Sequence, residues 1–225
     1  MTATRLSPTD PRIQDFVTEF LAAREGGLGT YEPSEDSFLL LEALSTLDLH
    51  TRRVLDMGTG SGILAAYCAS RGAYVVASDI DKDAIKDLEL TSKKIGISIK
   101  LVASDLFSKI HDRFDIIVFN PPYLPSSRIK DRTTDGGKNG IEVINRFLGE
   151  LAQHLVENGR GIIIVSSLND PESLMACHPS LSFRTIRETP LFFERLYVLE
   201  VKARKPSSPS SLRREEHSLK TPPIA

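Results

Sequence analysis

Short apolar runs alternate with helical patterns through the middle of this chain, and that alternation constrains its fold more than any other feature. Runs ending near Leu55, Asp79, Val102, Phe119 and Val165 have the length of buried strands. Between them lie stretches with helical spacing: Ile63 to Ser70, a segment opened by Asp81 and closed by Gly96, and Gly140 to Val156. Strands separated by helix-length segments pair in parallel, with the helices packed on both faces of the sheet. The last two runs, Leu181 to Thr189 and Leu191 to Lys202, are joined around Pro190 with no room for a helix, so they pair antiparallel. The expected fold is α/β, a seven-stranded, mostly parallel sheet with an antiparallel last strand and helices on both faces.

Upstream, residues 1–50 read as a helical segment packed on the core. Ile13, Phe16, Val17 and Phe20 make one apolar face, with Asp10 as N-cap and Pro11 at the first helical position. Pro33 and Ser34 start a second helix, with Glu35 and Asp36 at its positive end. Residues 51–202 form the main domain. Beyond them, residues 203–225 turn to Lys, Arg, Ser and Pro and read as a disordered basic tail.

Composition excludes several classes. The balance of 40% hydrophobic and 26% charged residues is that of a globular protein. A net charge of −2 gives no general pull toward nucleic acid, although a local patch could still bind it weakly. No apolar run reaches the ~18 residues of a membrane span, and Met1 to Pro8 lacks a signal peptide's apolar core. Two separated cysteines, Cys68 and Cys177, read as buried free thiols of a cytoplasmic protein. Without clustered histidines they imply no metal site.

The candidate site residues sit where strands end. Gly58, Gly60 and Gly62 follow the first strand and open a helix, so the backbone can turn tightly and approach a ligand. The Gly-x-Gly-x-Gly spacing differs from the dinucleotide fingerprint and lacks the Lys-Ser/Thr of a P-loop. Asp56 precedes the turn and either holds it or meets a ligand's charged end. Asp79, ending the second strand, stands where an acid accepts from both ribose hydroxyls of an adenosine. Asp105 is placed to reach the adenine amino group, with Leu106 beside the ring. The fourth strand stops at Asn120-Pro-Pro-Tyr123: neither Pro121 nor Pro122 can donate to a ladder, so the chain leaves the sheet in a stiff polar turn.

With that order of motifs, the chain resembles class I, Rossmann-like S-adenosylmethionine-dependent methyltransferases. Asn120-Pro-Pro-Tyr123 is similar to their signature for methylating a planar nitrogen, either a base's amino group or a glutamine amide. The resemblance implies that Asn120 and the Pro121 carbonyl accept the nitrogen's hydrogens while Tyr123 stacks on the planar group. Tyr31-Glu-Pro-Ser-Glu-Asp-Ser37 and Gly136-Gly-Lys-Asn-Gly140 are similar to segments of the HemK-related family, and the short stretch before Thr51 is similar to its archaeal and eukaryotic branch. That family methylates the glutamine of the Gly-Gly-Gln motif in peptide-chain release factors, at the amide nitrogen, often with a small zinc-binding activator protein. Carried over, Ser37 lies near the S-adenosylmethionine, and Glu32, Pro33, Pro122 and Asn139 border the substrate. Three other readings compete: base methylation in nucleic acid, supported by Arg128, Lys130, Arg132 and Lys138 and by the tail; a non-catalytic cofactor-binding subunit; and lysine methylation, to which amide polarisation is poorly suited.

Overall fold

The computed structural model describes residues 10–24, 32–122 and 141–204. Seven strands form one sheet: β1 (Arg53–Met57), β2 (Tyr74–Asp79), β3 (Ile99–Ala103), β4 (Phe114–Phe119), β5 (Leu155–Ser166), β6 (Leu181–Pro190) and β7 (Arg195–Ala203). Their order is β3-β2-β1-β4-β5-β7-β6. The pairings from β3 through β5 are parallel, and β7 runs antiparallel to both β5 and β6. The helices are α1 (Pro11–Ala23), α2 (Glu35–Ser45), α3 (Ile63–Ser70), α4 (Lys82–Lys94), α5 (Glu142–Leu151) and α6 (Pro171–Ala176).

Alternate residues of each strand feed two cores, as the two-residue period requires. On one face Val54, Ile116, Val118 and Ile162 pack with Ile13 and Phe20 of α1, Leu40 and Leu44 of α2, and Ile63 of α3. On the other face Leu55, Ile117, Phe119 and Ile163 pack with Phe147 and Leu151 of α5 and Leu174 of α6. Helix α1 starts as its sequence dictates: Asp10 accepts the Arg12 N–H at 2.9 Å, and proline occupies the first turn. Helix α4 is capped in the same way by Asp81, which accepts from the Asp83 N–H at 2.9 Å.

Two segments depart from the sequence reading. Helix α5 stops at Leu151 instead of Val156, and β5 begins at Leu155 instead of Ile162. The residues expected to turn, Gly159 to Gly161, lie inside the strand, with Arg160 and Gly161 opposite Ile116 and Ile117. The cause is an irregularity in the β4–β5 ladder that brings backbones together. A Cβ on Gly159 would stand 2.9 Å from the Phe114 carbonyl oxygen, so glycine there serves close approach within the sheet. The second difference concerns Cys177, which is exposed; only Cys68 is buried.

Strand order reverses between β1 and β4: β2 and β3 extend one way, β5 to β7 the other. In open α/β sheets the crevice beyond the carboxyl ends at such a reversal is the usual ligand site. Asn120 follows the last residue of β4 at that reversal, and Asp56 lies buried one residue before the end of β1.

Candidate active site

The glycine turn is set by its backbone. Gly58, Gly60 and Gly62 all have positive φ, at 61°, 50° and 81°. At Gly62 a Cβ would also come within 2.3 Å of the buried Leu88 side chain. Gly96, with φ of 70°, has nothing within 4 Å of the same position. Gly62→Ala should therefore cost clearly more stability than Gly96→Ala, roughly 2–4 against about 1 kcal/mol. Urea midpoints of the two variants check this; equal losses would mean that Leu88 yields freely.

Asp56 lies beneath the turn, 1% exposed. Its Oδ2 accepts from the Thr59 hydroxyl at 2.6 Å and from the Ala65 N–H at 3.0 Å, tying β1 to the turn and to α3. It sits within β1, opposite Val118, and not at the strand's exposed tip. Burial pushes its carboxyl up to about 7, against the lowering effect of those two bonds, and Asp79 nearby pushes it the same way. The native state thus holds this proton more tightly than the unfolded chain. The stability so gained is complete below about pH 4 and is lost as pH rises through about 7. At about 1.4 kcal/mol for each pH unit, the change is on the order of 4 kcal/mol. Asp56→Asn should flatten the stability profile between pH 4 and 7, read from urea midpoints; an unchanged slope would assign the dependence to other carboxyls.

Asp79 ends β2 and closes the other side of the turn. Its Oδ2 accepts from the Gly60 N–H at 2.8 Å and its Oδ1 from the Asp81 N–H at 2.9 Å. Its carboxyl is also raised from the ordinary value, chiefly by burial, with these backbone donors opposing. A carboxylate's two oxygens offer about four acceptor positions, so capacity remains beyond the backbone donors for a further, hydroxyl donor.

The turn meets the end of β4. A Cβ on Gly58 would stand 3.1 Å from the Phe119 ring, so the glycine lets the turn rest on the residue just before Asn120. Pro121 is buried, and Asn120 and Pro122 are half-buried. Asn120 Oδ1 is itself buried and has no hydrogen-bond partner among the described residues. Asp56 Oδ1 and Ser78 Oγ share that property. They lie near the carboxyl ends of neighbouring strands but not on one face: Ser78 is in register with Met57 and Phe119, which belong to the core beneath α5, while Asp56 is in register with Ala77 and Val118 of the opposite core. Buried polar atoms are nearly always satisfied in native proteins, so Asn120 Oδ1, the orphan just past the end of β4, marks a place for a polar ligand.

The other described candidates lie on the segment after β3 and at the start of α2. Leu106 is buried and holds φ at 44°, a strained value for a side chain with a Cβ, at the start of a 3-10 turn, Leu106–Lys109. Asp105 is exposed and pairs through Oδ2 with Arg146 of α5 at 2.9 Å. Helix α2 leads back into β1, so its first turn points toward the same edge. There Ser37 is 2% exposed and donates its hydroxyl to Asp36 Oδ1. The buried Asp36 also accepts from the Ser34 hydroxyl and the Ser37 N–H. From the sequence Asp36 was legible only as a helix-dipole acid. Pro33 is buried beside it, and Glu32 pairs with Arg24 at 3.2 Å. Tyr123 and Asn139, with the basic residues between them, lie outside the described residues.

The turn, the acids and the amide together could hold a nucleoside-bearing cofactor with its reactive end toward Asn120. Three glycines leave no Cβ in the way, Asp79 offers carboxylate lone pairs, and Asn120 Oδ1 supplies an acceptor. No group of three or more potential metal ligands occurs among the described residues. No helix among them is long and apolar enough to cross a membrane.

Comparison with known proteins identifies the family. A protein of Methanocaldococcus jannaschii provisionally named a protein N5-glutamine methyltransferase is 37% identical over 161 residues, 68% of this chain and 81% of that one. The human methyltransferase HEMK2 is 31% identical over 180 residues, 72% of this chain and 84% of its own. Among solved structures, the E. cuniculi Mtq2–Trm112 complex, described as responsible for methylation of the translation termination factor eRF1, superposes with a TM-score of 0.66. It shares 28% identity and covers 79% of this chain and all of the matched one. Residues 30–185 match the methyltransferase small domain, and the chain belongs to that family of methyltransferases.

Proposed function

We propose that this enzyme methylates the side-chain amide nitrogen of a glutamine, that of the Gly-Gly-Gln motif in a peptide-chain release factor, using S-adenosylmethionine. The observation that carries the reading is Asn120 Oδ1, a buried amide oxygen without a partner among the described residues, held at the strand reversal beside a glycine turn. Bound at that turn, S-adenosylmethionine supplies a methyl group made electrophilic by a positively charged sulfur. The protein's task is to present the nitrogen. An amide nitrogen is a poor nucleophile because its lone pair is delocalised. Asn120 Oδ1 and the Pro121 carbonyl accept its two N–H bonds, orient it and draw electron density onto it. In the transfer the N–CH3 bond would form as the sulfonium S–CH3 bond breaks, leaving a neutral thioether, and one N–H proton would pass to water. Positioning and electrostatics suffice, with no covalent enzyme intermediate.

In this assignment Asp79 accepts from the ribose, Asp105 and Leu106 border the adenine, Ser37, Asp56, Gly58 and Gly60 form the cofactor cradle, and Glu32, Pro33, Pro122, Tyr123 and Asn139 border the substrate. The similarity to proteins named for glutamine methylation favours an amide over a nucleic-acid base. A small activator partner belongs to the same reading, supported by likeness to Mtq2, which was solved with Trm112.

The test is a radiolabelled-methyl assay offering release factor, its Gly-Gly-Gln→Gly-Gly-Ala variant, and bulk RNA and DNA side by side. Label is expected in the first alone. Labelling that survives in the variant, or is confined to nucleic acid, would overturn the assignment.

A further inference from the structure

The hairpin joining β6 to β7 carries two neighbouring aromatic rings that the fold does not use. Phe192 is 92% exposed and Phe193 85% exposed, and the rings meet edge to face with centroids 4.6 Å apart. Leu168, on the 3-10 turn Ser167–Asn169 that follows β5, adds a third exposed apolar side chain. The tip is held firmly to that turn. The Ser166 hydroxyl donates to Glu194 Oε2, and the Arg195 N–H donates to Ser167 Oγ at 3.0 Å. Within the tip, the Leu191 N–H donates to the Glu194 carbonyl at 2.7 Å, and Arg195 pairs with Glu188 at 3.1 Å. Such anchoring fixes where the rings are displayed.

Their place follows from the ladder. Ser166 pairs with Leu196, so the tip projects from the end of the sheet where β5 finishes. β5 runs parallel to β4, with Ile163 opposite Phe119, so this is also the edge that carries Asn120. The hairpin stands two to three strand spacings from β4, roughly 10–15 Å to the side, and its tip rises roughly 15 Å above the end of β4. A folded protein that delivers a side chain to Asn120 brings its surrounding surface over this edge. Aromatic side chains are the residues best suited to anchor it, since each buries some 150–250 Å².

We infer that Phe192 and Phe193, with Leu168 beside them, form a docking surface for the folded protein that carries the acceptor glutamine. This rests on the functional reading above and adds to it: substrate choice is made partly on an apolar surface next to the acceptor, away from the reacting atoms. The rings then act on capture of the whole protein and not on methyl transfer.

The double variant Phe192→Ser/Phe193→Ser tests this, together with Phe192→Leu/Phe193→Leu, in the full chain with and without an activator partner. Methylation kinetics are compared on full-length release factor and on a short peptide containing Gly-Gly-Gln, and cofactor affinity is measured for each variant. The serine variant is expected to raise KM for the folded factor by about 10- to 100-fold, to leave peptide kinetics and cofactor affinity unchanged, and to be largely rescued by leucine. Unchanged kinetics on the folded factor would overturn the inference, as would equal losses on both substrates. Sedimentation that shows wild-type self-association, abolished in the serine variant without a kinetic change, would assign the rings to a contact between copies and also overturn it. Wild-type chain that methylates neither substrate sinks the functional reading itself, and that result is visible before any variant is made.

Discussion

Asn120→Ala is expected to lower the rate of methyl transfer by at least about 10²–10³-fold while cofactor affinity stays within about threefold. The magnitude follows from the position of the amide oxygen. It is buried and unpaired among the described residues, so it is free to act on the acceptor nitrogen in a low-dielectric setting, where a directed acceptor is worth far more than in water. Removing it takes away both an orienting contact and the pull on the nitrogen's N–H. The cofactor cradle is built mainly from other residues: the turn Gly58 to Gly62, Asp56 beneath it and Asp79 beside it. Kinetics at saturating cofactor, set beside equilibrium binding of S-adenosylhomocysteine, check the split. Parallel loss of binding and turnover would make Asn120 a cofactor residue and not the one that presents the acceptor.

Asp79→Ala should do the opposite, weakening cofactor binding by roughly 10- to 100-fold with a much smaller effect on turnover at saturation. Two backbone donors, the N–H groups of Gly60 and Asp81, converge on this carboxylate. Hydrogen bonds to a charged acceptor contribute about 1.5–3 kcal/mol each, so losing the acceptor loosens the turn as well as removing the ribose contact. Asp79→Asn keeps one oxygen and should fall between the two. Calorimetric titration with S-adenosylmethionine reads the effect; unchanged affinity in Asp79→Ala would remove it from the ribose role.

Much of this architecture could be read in the residues. The bounds of α3 and β4 agree with the sequence pattern, because glycines fix one start and a double proline fixes one end. The antiparallel final pair followed from the lack of space for a crossover helix. The α5–β5 junction did not follow. Gly159 to Gly161 look like a turn by composition, and only pairing with β4, across irregular register, makes them strand. Local preference cannot report a ladder formed with residues forty positions away.

For the site, the sequence by itself determined the chemical inventory: three glycines at a helix start, acids at strand ends, and an amide before two prolines. Each depends on local backbone limits that the residue types impose. Tertiary structure alone decided which of these atoms have partners. Asp56 became a buried anchor for Thr59 and Ala65 because β1 is flanked on both sides by other strands. Asp36 became a buried acceptor for Ser34 and Ser37, and Asp105 acquired Arg146 from α5. Burial and partnership are properties of chain segments brought together from afar. Only the fold could single out Asn120 Oδ1 as a buried acceptor with bonding capacity to spare, and only the fold could set Phe192 and Phe193 on the same edge.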